Sequence, residues 1–216
     1  MQTSRVFPCS RRSFLAASGG GAVGALFPAW LGRTEATSNN YRLVAGPGRT
    51  QLVGVAYPET SVWSYNGAVP APEIRVRQGE DLRITVENRL QEETTVHWHG
   101  LRVPNAMDGV PHLTQKPIAP GETFIYEFDV PDAGTYWYHP HQRSFEQVGR
   151  GLYGPLIVEE REPIRVDRDV TWVLDDWRLL QDAQISDDFG GFMDASHNGR
   201  VLGDSGDRHW PAPVLR

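Results

Sequence analysis

The chain has 216 residues, a formal charge of −6 and a single cysteine, Cys9. Its 27 acidic residues against 21 Lys and Arg argue against nucleic acid as a partner. One cysteine excludes an internal disulfide framework, so stability must come from a packed core or from partners, and the length suits one domain plus an extension.

The amino-terminal stretch reads Ser10-Arg11-Arg12-Ser13-Phe14-Leu15, followed by an apolar run from Ala16 to Leu31 rich in Gly and Ala. A charged segment, a twin-arginine pair and an apolar segment in that order predict a signal peptide over residues 1–36 and twin-arginine export, giving a periplasmic or secreted protein. A stable membrane anchor is not expected. The run is interrupted by Ser18, Gly19 to Gly21 and Pro28, and it falls short of the roughly 20 strongly apolar residues that a spanning helix needs. Removing residues 1–36 takes away four arginines and one glutamate, moving the formal charge from −6 to −9 and leaving no thiol.

From Tyr41 to Glu160 the chain alternates apolar and polar residues in short runs divided by Gly, Pro, Asn and Asp, the pattern of an all-β sandwich. Glu73 to Arg77 alternates, Gln78-Gly79-Glu80 turns, and Asp81 to Asn88 alternates again, which points Ile74, Val76, Leu82, Ile84 and Val86 inward. Thr94 to His99 continues as a strand ending at Gly100. Thr123 to Val130 follows, with Phe124, Tyr126 and Phe128 on one face. Pro131 to Gly134 forms a turn before a strand over Thr135 to His139, which must end or lie at an edge at Pro140 because proline donates nothing to a ladder. Gln142 to Gly151 reads as a polar loop that includes Arg143 and Glu146, and Leu152 to Val158 as a closing strand.

A domain boundary is expected near Glu159 to Asp167. Beyond it, Val170 to Leu174 reads as a strand, and Gln181 to Arg216 is polar and rich in Gly and Asp. Residues 161–216 therefore read as a linker and the incomplete start of a second β domain.

The residues that carry chemistry are two His-x-His pairs, His97-Trp98-His99 and His139-Pro140-His141. Side chains alternate along a strand, so each pair points both imidazoles to one side and four imidazoles can share one space. Imidazole suits copper, zinc, iron and nickel, whereas a blue-copper site also needs a thiolate. Same-face neighbours about 6.5 to 7 Å apart allow either one chelated ion or two ions of a cluster. Trp98, Trp137 and Tyr138 read as core and supporting aromatics. His112, His197 and His209 match no ligand pattern, and three methionines are too few for a copper-collecting segment.

Five phrases resemble the multicopper oxidases, specifically their first plastocyanin-like domain: Asn66 to Pro72, His97-Trp98-His99-Gly100, Asp108-Gly109-Val110-Pro111, Gly134 to His141, and Gly151 to Ile157. The resemblance covers residues 41–160 and implies a cupredoxin-like Greek-key β-sandwich. It implies that His97 is a type 2 copper ligand and that His99, His139 and His141 are type 3 ligands. It also implies that Asp108 is the acidic residue that moves protons near the trinuclear centre, although an ordinary Asp-Gly turn looks the same. The family's other ligands lie in His-x-x-His-x-His and His-Cys-His phrases. This chain contains neither phrase, so the resemblance implies half of the trinuclear ligands and no type 1 site.

In the whole family, oxidation of a donor is coupled to reduction of O2 to water. This chain by itself is expected to be inactive, with O2 and a reducing substrate entering only if missing domains or a second chain complete the site. The alternative is a non-catalytic exported copper-binding or scaffold module on the same fold. The two-domain relatives that assemble as trimers are disfavoured, because they keep the His-Cys-His phrase.

Overall fold

The computed structural model describes residues 39–189. The leader, His197, His209 and the end of the chain lie outside them.

Among the described residues, eight strands form two four-stranded sheets. They are β1 (Asn40–Thr50), β2 (Thr60–Tyr65), β3 (Ile74–Arg77), β4 (Asp81–Asn88), β5 (His97–His99), β6 (Thr123–Asp129), β7 (Gly134–His139) and β8 (Gly154–Glu159). One sheet has the order β2-β1-β4-β6 and the other β3-β8-β7-β5. β1 runs parallel to β4 and β3 parallel to β8, while the remaining ladders are antiparallel. Parallel neighbours cannot be joined by a hairpin, so the chain crosses between sheets as a Greek-key sandwich requires.

The alternation expected from the sequence fills the core. Ile74, Val76, Leu82, Ile84 and Val86 are buried, as are Tyr126 and Phe128, with Phe124 partly covered against them. Trp98 is the largest fully buried side chain; its ring meets Tyr126 edge-on at 5.2 Å and lies 5.4 Å from Phe128. Tyr138 joins it from β7 at 6.0 Å. Buried Asn88 satisfies the turn after β4 by donating to the Ile118 and Glu92 carbonyls, both at 2.8 Å, and by accepting from the Leu90 amide.

Three expectations are corrected. The loop expected over Gln142 to Gly151 contains a helix, α1 (Ser144–Gly149). Six residues span fewer than two turns, too few for a 3.6-residue period to register. Glu146 is buried there between Arg143 and Arg150, and Gln147 is fully buried, so neither behaves as a solvated loop residue. The strand expected over Val170 to Leu174 does not form, and Trp172 and Leu174 remain 70% and 83% exposed. Side-chain bonds, rather than a ladder, hold this segment: Asp169 to Arg75, Thr171 to Glu73 and Asp175 to Tyr153. Finally, the regular part of the first histidine strand is only His97–His99, because Thr94 pairs with Ile118.

After β8 the chain returns to the sandwich. Leu179 and Ile185 pack on Val62, and Thr60 donates to the Ala183 carbonyl at 2.7 Å. No helix among the described residues is long and apolar enough to cross a membrane.

Candidate metal centre

β5 is the outer strand of its sheet and pairs with β7 in the register His97 with His139, Trp98 with Tyr138, and His99 with Trp137. Alternation then divides the pair by parity. Trp98 and Tyr138 face the core at 0% exposure, while His97, His99, Trp137 and His139 share the outer face. β7 ends at His139, where Pro140 halts the ladder, and His141 follows in the bend leading to α1.

The structure brings the four predicted histidines together. The His97 ring centroid lies 4.4 Å from His141, 5.5 Å from His139 and 5.8 Å from His99. His139 is 5.5 Å from His99 and 5.4 Å from His141. One ligand nitrogen from each of His97, His99 and His139 falls within 4.8 Å of the others.

Backbone carbonyls fix two of the rings. His97 Nδ1 lies 2.7 Å from the Asp108 carbonyl and His139 Nδ1 lies 3.0 Å from the Pro140 carbonyl. A carbonyl only accepts, so both Nδ1 atoms carry the proton and both Nε2 atoms present a lone pair. This is how ligating imidazoles are oriented and their tautomer chosen. His139 Nε2 lies 3.3 Å from His99 Nδ1. Two nitrogens on one tetrahedral ion, each about 2.0 to 2.1 Å from it, lie about 3.3 Å apart, so this spacing fits metal chelation.

Electrostatics point the same way. Burial, followed by the neighbouring imidazoles, pulls His139 down to about 4 against the Pro140 bond that opposes it, so the ring is neutral near pH 7. His141 is lowered by loss of solvation and by His97, with Asp108 acting in the opposite direction. Neutral imidazole is the ligating form. A set of four imidazole nitrogen donors with no thiolate fits copper or zinc, with no bias toward a blue-copper site.

Asp108 lies at the end of a 3-10 turn (Asn105–Met107), and its carboxylate is 3.3 Å from His97 Nδ1. Both its backbone and its side chain therefore meet the same imidazole. Gly109 makes that approach possible: with φ of +78°, an added Cβ would lie 1.9 Å from the Val96 carbonyl oxygen. His112 sits four residues on, in the adjacent loop, with φ of +63° and its amide bonded to the Gln115 carbonyl.

Trp137, read from the sequence among the core and supporting aromatics, takes the supporting place: it is 37% exposed and stacks on His139, with centroids 4.0 Å apart and planes at 25°. Sequence reasoning missed two other supports of the site. Thr95, fully buried, accepts from the His141 amide at 3.1 Å. Gln147, also fully buried, ties α1 to Glu92, Glu93 and Thr94. Its contacts span more than fifty residues, and no local pattern reports them.

A family model described as multicopper oxidase matches residues 49–163. A copper resistance protein A homolog of Pseudomonas syringae pv. tomato is 35% identical over 197 residues, covering 86% of this chain and 33% of the relative. Among solved structures, Lac15 from a marine microbial metagenome superposes with a TM-score of 0.65 at 49% identity, covering 68% of this chain and 39% of that one. A multi-copper oxidase from Pseudomonas thermotolerans gives a TM-score of 0.67 at 45% identity, covering 70% and 36%. The chain thus spans about a third of the length of these relatives. The two-sheet sandwich is the cupredoxin-like fold of these oxidases, and with more than half of its residues inside the family match, the chain belongs to the multicopper oxidase family.

Proposed function

We propose that this chain is an exported, copper-binding amino-terminal portion of a multicopper oxidase that supplies half of the ligands of a trinuclear copper cluster. The observation that carries the reading is the convergence of His97, His99, His139 and His141 on one outer sheet face, two of them with Nδ1 committed to a carbonyl. His97 takes the type 2 role, and His99, His139 and His141 take the type 3 roles. Copper, when bound, supplies the one-electron chemistry that couples oxidation of a donor to reduction of O2 to water.

The protein's own part is positional. Asp108 holds His97 through its carbonyl and keeps a carboxylate at the rim of the imidazole cluster, where it can hold a proton. Trp137 covers one side of His139 and limits water there. Turnover is assigned to the whole assembly, with O2, a reducing substrate and the remaining ligands supplied by further domains or a second chain. Residues 161–216 serve in this reading as the linker and start of a second domain, and residues 1–36 direct export through the Arg11-Arg12 pair. A second reading is a non-catalytic copper-binding or scaffold module on the same fold.

Copper stoichiometry with visible and EPR spectra on the purified chain tests both readings, together with oxygen uptake on a phenolic donor. The expected result is nitrogen-ligated copper, no intense blue thiolate band, no oxygen uptake by the chain alone, and loss of copper in H97A/H139A. Copper binding that is indifferent to those replacements would overturn the assignment. Oxygen uptake that appears when the remaining domains are added separates the oxidase portion from the scaffold.

A further inference from the structure

Resting on the metal reading above, we propose that Thr95 is the positioning residue for His141, its hydroxyl standing in for the ladder rung that Pro140 removes. The register of β5 and β7 pairs His97 with His139 and Trp98 with Tyr138. Continued by two residues, it sets Thr95 opposite His141. The residue between His139 and His141 is a proline with no N–H, so a backbone ladder cannot run through it. β7 stops at His139, and the next amide, that of His141, donates instead to Thr95 Oγ1 at 3.1 Å. Thr95 shares the outer face with His97 and His99, two and four residues ahead of it, so one strand face carries two imidazoles and the tether for a third.

A tether positions only if its own anchor is rigid. Thr95 is fully buried, and each of its neighbours is locked to a different element. Thr94 pairs with Ile118 through amide and carbonyl, at 3.1 and 2.8 Å. The Thr94 hydroxyl donates to Gln147 Oε1 at 2.7 Å, and Gln147 Nε2 donates to Glu92 Oε1 and the Glu93 carbonyl, both at 2.8 Å. On the other side, the Val96 amide donates to the Tyr126 hydroxyl at 2.9 Å, reaching into the core. His141 is itself exposed, so burial does not hold its backbone where the cluster needs it. The hydroxyl does.

The test compares T95V, which keeps the shape and removes the hydroxyl, with T95S, which keeps the hydroxyl, and with H141A and T95V/H141A. In the metal-free full chain, the His141 amide should exchange with solvent at least about tenfold faster in T95V than in wild type, with T95S restoring protection. In copper competition titrations, T95V should weaken binding by roughly 10- to 100-fold, the loss seen when a partner that orients a ligand is removed, with T95S within about threefold of wild type. T95V/H141A should match H141A, since a tether has no work without its imidazole; the EPR nitrogen couplings of T95V should likewise approach those of H141A. Wild-type exchange or wild-type copper affinity in T95V would overturn the proposal, and so would a further loss in the double variant beyond H141A. T95A gives the same comparison if T95V does not fold. An H141A chain with undiminished copper affinity refutes the ligand role of His141 in an arm that leaves Thr95 intact, so the two failures are told apart.

Discussion

Replacing Gly109 with alanine separates backbone strain from site geometry. Gly109 has φ of +78°, and an added Cβ would lie 1.9 Å from the Val96 carbonyl oxygen, 2.5 Å from the Val96 carbonyl carbon and 2.9 Å from the His97 amide nitrogen. All three are backbone atoms at the start of β5, so no side-chain rotation relieves the contact. Carbon and oxygen need about 3.3 Å, so the loop must retreat by about 1.4 Å, β5 being held by its ladder to β7. That retreat stretches the 2.7 Å bond from His97 Nδ1 to the Asp108 carbonyl to about 4 Å, beyond hydrogen-bonding range. The left-handed conformation costs alanine about 1 kcal/mol, and the lost bond costs about another 1 kcal/mol. With residual crowding, G109A should unfold in urea with a stability about 2 to 4 kcal/mol below wild type. Copper affinity should fall by roughly 10- to 100-fold as His97 loses its fixed tautomer. Gly121 provides the control: its φ is +79° and nothing lies within 4 Å of an added Cβ. G121A should therefore cost only the conformational term of about 1 kcal/mol and leave copper binding unchanged. Equal stabilities for the two variants, or wild-type copper affinity in G109A, would refute the reasoning.

Three further outcomes are expected. The metal-free chain should lose stability as pH falls from about 6.5 toward 4, because the unfolded chain takes up a proton that folded His139 refuses until pH is about 4; stability is complete above the unfolded value, and the loss amounts to about 3 kcal/mol. Urea midpoints at several pH values check this, and H139Q should flatten the profile; an equal slope in both proteins would remove His139 as the cause. Leu156 is 0% exposed in β8, so L156A should cost about 2 to 5 kcal/mol, whereas L113A at a position 79% exposed should stay within about 0.5 kcal/mol, both read by chemical denaturation. Trp137 stacks on His139 at 4.0 Å yet is 37% exposed, so W137A should change stability by about 1 kcal/mol or less while lowering copper affinity measurably by competition titration. A large stability loss with unchanged copper binding would make Trp137 a core residue.

The sandwich and its histidine face were legible because both depend on a two-residue period. The inward set of β3, β4 and β6 follows from alternation alone, and so does the shared direction of His97 and His99, whereas His141 lies past the end of β7 with its amide on Thr95. What alternation does not contain is the contact between distant segments. The sequence groups Trp137 with Trp98 and Tyr138 as core and supporting aromatics; its odd number puts it on the histidine face, and only the pairing of β5 with β7 brings it onto His139 and beside His99. α1 escaped because six residues carry too little period, and its role depends on Gln147 reaching Thr94 across 53 residues. Val170 to Leu174 misled in the opposite way: the β-branched and aromatic composition of a strand is present, but a strand also needs a partner edge, and this segment is tied through its side chains.

Parity also explains why the site can be demanding without weakening the domain. On β5 and β7 the even-numbered Trp98 and Tyr138 fill the core, and the odd-numbered histidines point away from it. Imidazoles gathered within 4.4 to 5.8 Å of one another repel when charged and want lone pairs aimed at a common point. On an inner face, that demand would compete with packing. On the outer face it is met by groups that the core does not use: the carbonyls of Asp108 and Pro140, the stacked ring of Trp137 and the hydroxyl of Thr95. The same placement leaves His99 and His141 exposed, so the donors that the chain holds ready face outward from an edge strand, the geometry a site needs if its remaining ligands arrive from another domain or chain.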